Sequence, residues 1–166
     1  HFAQAVIYLC DHGEEGAMGL VINHPIGVPM SRVFEELDLE YVEDIGRRPL
    51  LSGGPVQRER GFVLHKNAAR HWESTLEISP DIAITASQDI ILDIARNQGP
   101  RDSYITLGYA GWEPGQLERE IAENSWLVVE ADSNILFDIP FEQRAKAAAA
   151  KSSCAPRSAC LPRYWE

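Results

Sequence analysis

The chain has 166 residues, 45% of them hydrophobic, and 25 acidic side chains against 15 basic ones, a formal charge of -10. That length and apolar content suit one domain with a real core, and no run approaches the ~20 apolar residues of a membrane-spanning helix. The acidic balance argues against direct nucleic-acid binding and against anionic membrane surfaces, because both draw their affinity from Lys and Arg.

Local basic patches are confined to Arg47 with Arg48 and Arg58 with Arg60. The cysteines are Cys10, Cys154 and Cys160, with no Cys-x-x-Cys. An odd count of that kind fits reduced thiols and a cytoplasmic setting and speaks against a structural zinc. The chain opens on His1-Phe2 and runs straight into a strand-like segment, so no signal peptide is read; the missing initiator Met fits a trimmed chain.

Residues 5–12 and 17–25, joined by "GEEG", predict a hairpin whose near-continuous apolar runs suit burial on both faces. Residues 25–29 read as loop. Val33, Phe34 and Leu37 fall at helical spacing within 30–39, with Glu35, Glu36 and Asp38 outward. An apolar run stops at Gly53-Gly54-Pro55 and resumes as a strand over 60–66, with Gly61 marking a bulge or a close backbone approach.

Short strands follow at 75–78 and 82–85. "SQDIILDIARNQG" predicts a helix over 87–99 with Ser87 as N-cap. Residues 104–112 read as a strand running into a glycine corner, 113–125 as a helix, 126–131 as a strand and 141–151 as a helix. Early hairpins make the sheet mixed and largely antiparallel with flanking helices, hence α+β and a single domain.

Three places could carry chemistry. The Gly53-Gly54-Pro55 bend has neither P-loop nor Rossmann glycine spacing. It is either a plain turn with a solvated charged tip, or a corner that aims Arg58 or Arg60 at an anion beside glycine N–H donors. Cys10 and His12 are two apart on a strand, which places them on one face. They are the only candidates for a nucleophile and base, or for a redox-responsive thiol, against the plainer reading of a buried Cys and a strand-end His.

"GYAGW" sets Gly108 and Gly111 beside Tyr109 and Trp112. The aromatics are either packing residues or, for Trp112, the wall of a pocket with the next helix start as anion receiver. His12, His24 and His65 lack a carboxylate pattern, so neither metal nor cofactor is expected. The ligand-binding candidates are therefore Gly53, Gly54, Arg58, Arg60, Gly111 and Trp112.

"VIYLCDHGEEGAMGLVINHP", "SGGPVQRERGFVLH", "ITASQDI" and "LGYAGWEPGQLEREIAENSWL" together resemble the bacterial YqgE/AlgH family over about residues 5–144. The resemblance implies an α+β fold with a partly barrel-like sheet and a cytoplasmic location. It brings no established activity, although members are commonly labelled transcriptional regulators. Helix 113–125 has four Glu and one Arg, which suits no DNA-reading helix. A regulatory role would therefore run through a protein or a small anionic ligand.

Two departures from the family pattern stand out. The short segment with an extra strand that precedes this start in the family is missing, and the tail 145–166 reads as foreign or frame-altered. The domain is accordingly drawn at 1–144, with an atypical tail in which Cys154 and Cys160 have no assigned role. The acidic stretch at 31–44 reads as a solvated face or as a docking surface for a basic partner.

Overall fold

Gly13 and Gly16 bracket the tight connection that the first hairpin needs. β1 (Ile7–Gly13) and β2 (Gly16–Val21) pair antiparallel across it. The structure is a computed structural model describing residues 5–68, 70–154 and 164–165, without side chains beyond 151. It divides into two compact units. One holds the chain up to His24, Gly53–Val56 and everything from Tyr109; the other holds Pro25–Ser52 and Gln57–Gly108.

In the first unit Ile7 faces Val21, Tyr8 faces Leu20 and Leu9 faces Gly19. The register then slips, so that Asp11 faces Met18 and His12 faces Ala17. Cys10 is the extra residue of this β-bulge. The end of β8 (Ser103–Trp112) pairs with β2, Ala17 opposite Trp112 and Gly19 opposite Ala110. β9 (Val128–Val129) and β10 (Tyr164–Trp165) add antiparallel pairing on the β1 side.

Ala5, Ile7, Leu9, Val21, Ala110, Trp112 and Leu117 form this unit's buried cluster. Leu117 comes from α4 (Gln116–Ala122), shorter than the helix expected over 113–125 because Gly115 at φ 76 sets its start. The strand expected over 126–131 is cut to β9. Asp132 accepts the Asn134 N–H and starts α5 (Ser133–Phe137), a helix the sequence reading missed.

Helix α6 (Arg144–Cys154) follows a 3-10 turn at Phe141–Gln143, in line with the helix expected there. Its Ala148 is buried, and Lys151 Nζ donates to the Glu130 carbonyl at 3.0 Å. Cys160 and most of the tail after 154 lie outside the described residues.

In the second unit the expected loop at 25–29 is β3 (Pro25–Pro29), paired with β4 (Pro49–Ser52). Prolines masked the strand in the sequence. They lack an N–H and are tolerated only where one side of a strand needs no donor, and β3 pairs with β4 alone. β4 runs parallel to β8, Leu51 opposite Thr106. β5 (Val56–Lys66) pairs antiparallel with β7 (Ile82–Thr85), which also pairs antiparallel with β6 (Thr75–Glu77). The pairing is thus mixed and largely antiparallel, as the sequence indicated.

Phe34 of α1 (Ser31–Glu36), Ile45 of α2 (Glu43–Gly46) and Ile90, Ile91 and Ile94 of α3 (Asp89–Ala95) fill this unit's core with Trp72 and Ile105. Ser87 does not cap α3 as expected. Its hydroxyl accepts the Ser74 N–H and donates to Asp89, whose carboxylate accepts the Ile90 and Glu73 N–H groups. Nor does Gly61 mark a close approach, since an added Cβ would meet nothing nearer than 3.9 Å.

Candidate functional site

The glycine corner of the first unit is built by backbone contact. Gly54 has φ 151, and a Cβ on it would stand 2.2 to 2.5 Å from the Tyr109 carbonyl group and the Ala110 nitrogen. The Gly53 carbonyl accepts the Val21 N–H at 2.8 Å. A Cβ on Gly111 would lie 3.4 Å from the Tyr109 ring and 3.9 Å from Val56. The bends at 53–54 and 109–111 are therefore neighbours.

Trp112 is buried, and its indole N–H donates to Glu120 at 3.2 Å. Trp126 donates to the same Oε1 at 2.8 Å, and Gln116 donates to Oε2 at 2.8 Å. The two indoles meet edge to face at 5.9 Å. Desolvation works against a charged Glu120, but the three donors outweigh it and hold the carboxyl below its ordinary range. Gln116 also accepts the Glu113 N–H at 2.9 Å, while no side chain caps the start of α4.

Cys10 and His12 diverge. Without the bulge, alternation would set them on one face; with it, His12 takes the side of Leu9 and Ile7. There His12 Nε2 pairs with Glu118 of α4, and the hydrogen bond from His12 holds the Glu118 carboxyl below its usual range. The Cys10 thiol is directed at the Tyr8 carbonyl, 3.6 Å away. Burial, with a smaller push from the Asp11 carboxylate, lifts it to about 12.

In the second unit Arg58 and Arg60 are exposed at the start of β5, and the Arg60 guanidinium lies 5.0 Å from the Phe62 ring centre. Further along β5, His65 is fully buried. Its Nδ1 can only donate to the Lys66 carbonyl at 2.8 Å, and burial pushes the ring's pKa down, so the ring is neutral. Nε2 must then accept from the Thr85 hydroxyl at 2.8 Å. Thr75 in turn donates to Thr85 at 2.9 Å, and the Trp72 N–H donates to Thr75 at 2.9 Å. Every proton in this chain has one place to go, and the ring's one lone pair, on Nε2, is engaged by Thr85.

His24 is half-exposed. Among the described residues no group of three or more His, Cys, Asp or Glu is placed to hold a metal ion. No described helix is long and apolar enough to cross a membrane.

Residues 1–156 match the model of the AlgH-like family (DUF179). The chain belongs to that family. A "UPF0301 protein" from Saccharophagus degradans is 51% identical over 148 residues, 89% of this chain and 72% of the relative. One from Legionella pneumophila (strain Corby) is 50% identical over 145 residues, 87% of this chain and 77% of that one. The solution structure of AlgH from Pseudomonas aeruginosa is similar, with TM-score 0.82 and 48% identity over 95% of this chain and 83% of that one. A Corynebacterium diphtheriae protein shares the fold, with TM-score 0.63 at 18% identity over 85% and 73% of the two chains.

The sequence reading of this AlgH-like chain overlooked Glu118, Glu120 and Arg144. The Arg144 side chain is buried; its Nε donates to the Ile139 carbonyl at 2.8 Å, its Nη1 to Ile22, and its guanidinium lies 4.5 Å from the Phe141 ring centre. The glutamates carried a signal that went unused: on α4, Gln116 and Glu120 are one turn apart, with Trp112 just ahead and Trp126 just behind. Arg144 gave none, because its carbonyl partners are fixed only by the fold.

Proposed function

We propose that this AlgH-like chain is a non-enzymatic binding protein with a regulatory role in the cytoplasm, acting through a protein or a small anionic ligand rather than by gripping DNA. The observation that carries the reading is geometric: the Cys10 thiol faces the Tyr8 carbonyl while His12 pairs with Glu118. A nucleophilic cysteine works as its thiolate. Burial pushes the Cys10 thiol up, to about 12, which disfavours the thiolate. The imidazole that would activate it is turned toward Glu118.

The proposed recognition features in the first unit are Gly53, Gly54 and Gly111 with the buried Trp112; at Gly54 the missing side chain lets backbone approach the Tyr109–Ala110 backbone. In the second unit they are the exposed Arg58 and Arg60, suited to an anionic group. The regulatory part of the reading comes from the family resemblance, and the case against DNA comes from the charge of -10.

Peptide-resolved alkylation tests the non-enzymatic claim. Cys10 should react with iodoacetamide more slowly than free cysteine at neutral pH. A rate above that of free cysteine would defeat it. A duplex-DNA mobility shift that saturates at sub-micromolar protein in moderate salt would defeat the second claim.

A further inference from the structure

The second unit contains a cavity of about 270 Å³ lined by Ile45, Ile94, Asn97, Gly99 and two arginines, Arg48 and Arg101. Ile45 and Ile94 come from the buried core, so one wall is apolar. Gly99 closes tightly on that wall: a Cβ there would meet Ile94 Cγ1 at 2.8 Å. The backbone of Arg48 is anchored, its carbonyl accepting the Met30 N–H at 2.7 Å and its N–H donating to Ile45 at 3.1 Å.

Several cations of this unit are paired with carboxylates, whereas the two that line the cavity are not. Arg47 takes both Glu43 and Asp44, at 2.8 and 3.0 Å. Lys66 takes Asp102 at 3.1 Å, and Arg70 takes Asp93 at 2.8 Å. Neither Arg48 nor Arg101 has a side-chain partner among the described residues. Helix carbonyls do not serve instead. At the end of α3, the carbonyls of Leu92, Asp93, Ile94 and Ala95 accept from Arg96, Gln98, Asn97 and Val42. Two guanidinium groups without partners beside an apolar wall, on a chain of charge -10, form a local reversal of sign.

We infer that this cavity binds a small organic phosphate, its phosphoryl group held by Arg48 and Arg101 and its carbon body lying on Ile45 and Ile94. The guanidinium fork matches phosphate oxygens. The volume falls just below the ~300–1,000 Å³ of pockets for drug-sized ligands, which sets the ligand at metabolite size. The inference stands independently of Cys10 and of the glycine corner.

The test is a titration of the full chain with phenyl phosphate, followed by amide NMR, with inorganic phosphate as a second probe. Saturable shifts at residues 97–101 and around Arg48 are expected, with phenyl phosphate tighter than inorganic phosphate. Arg48→Gln and Arg101→Gln should each weaken phenyl phosphate about tenfold. Arg47→Gln, which removes the same charge next door, should leave the affinity unchanged. The inference is overturned by no saturation at about 10 mM phenyl phosphate, by shifts that map elsewhere, by equal affinity for the two probes, or by Arg47→Gln weakening binding as much as Arg48→Gln. The amide spectra report whether each variant is folded, and Arg48→Lys replaces any glutamine variant that is not.

Discussion

A β-carbon on Gly54 would stand 2.2 Å from the carbonyl carbon of Tyr109. That spacing is far inside van der Waals contact, and the neighbour is backbone, which cannot swing aside as a side chain can. The closeness of the two bends therefore depends on a hydrogen atom at one position.

Gly54→Ala should cost at least about 3 kcal/mol, combining the φ of 151 with the clash against Tyr109 and Ala110. Gly13→Ala is the comparison, because nothing lies within 4 Å of its added methyl. It should change stability by no more than about 0.5 kcal/mol. Urea unfolding of both variants decides this; equal midpoints would mean the close approach is not maintained.

Glu120→Ala removes the shared acceptor of Trp112 and Trp126. A loss of about 1–3 kcal/mol is expected, since partly buried indole N–H groups are left without a partner. Tryptophan fluorescence should shift, because both rings lose the fixed negative charge at their N–H edge. An unchanged emission spectrum together with unchanged stability would count against the cluster.

Cys10 supplies an alkaline dependence. Its folded pKa, about 12, lies above its ordinary value of 9.0. Between those values the unfolded thiol loses its proton while the folded one keeps it. The contribution is therefore complete below pH 9 and is lost as pH rises toward 12. Cys10→Ala should flatten the fall in urea midpoint over that window relative to the parent chain. Parallel curves for the two proteins would show that the thiol titrates normally.

His65 acts at the opposite end of the scale. Burial lowers its folded pKa below the ordinary value of 6.5, so its contribution is present above that pH and lost as pH falls through the folded value. The ring's NMR titration should have its midpoint below 6.5. Thr85→Val removes the hydroxyl that donates to Nε2 and orphans Thr75 as well. It should cost about 1–3 kcal/mol. A midpoint above the ordinary value would mean that burial does not govern the ring's charge.

Hydrophobic runs and punctuation made most elements legible. The hairpin at Gly13–Gly16, the helix holding Ile90, Ile91 and Ile94, and the strand ending at Trp112 all stand where periodicity put them. Pro25 and Pro29 hid a strand, because the sequence does not say that its far side needs no donors. The break at Cys10 was invisible too. A bulge is a mismatch in length between two strands, and no residue in "LCDHG" announces it.

Residues near in sequence determined the secondary structure and the net charge, because hydrophobic alternation, glycine conformations and ionisable side chains are local properties. Tertiary structure decided which groups meet. His12 reached Glu118 rather than Cys10, two tryptophans converged on Glu120, and Arg48 and Arg101 were left facing one cavity. Each of those outcomes depends on register and on which acids other cations had already taken, and both are set only when distant segments pack.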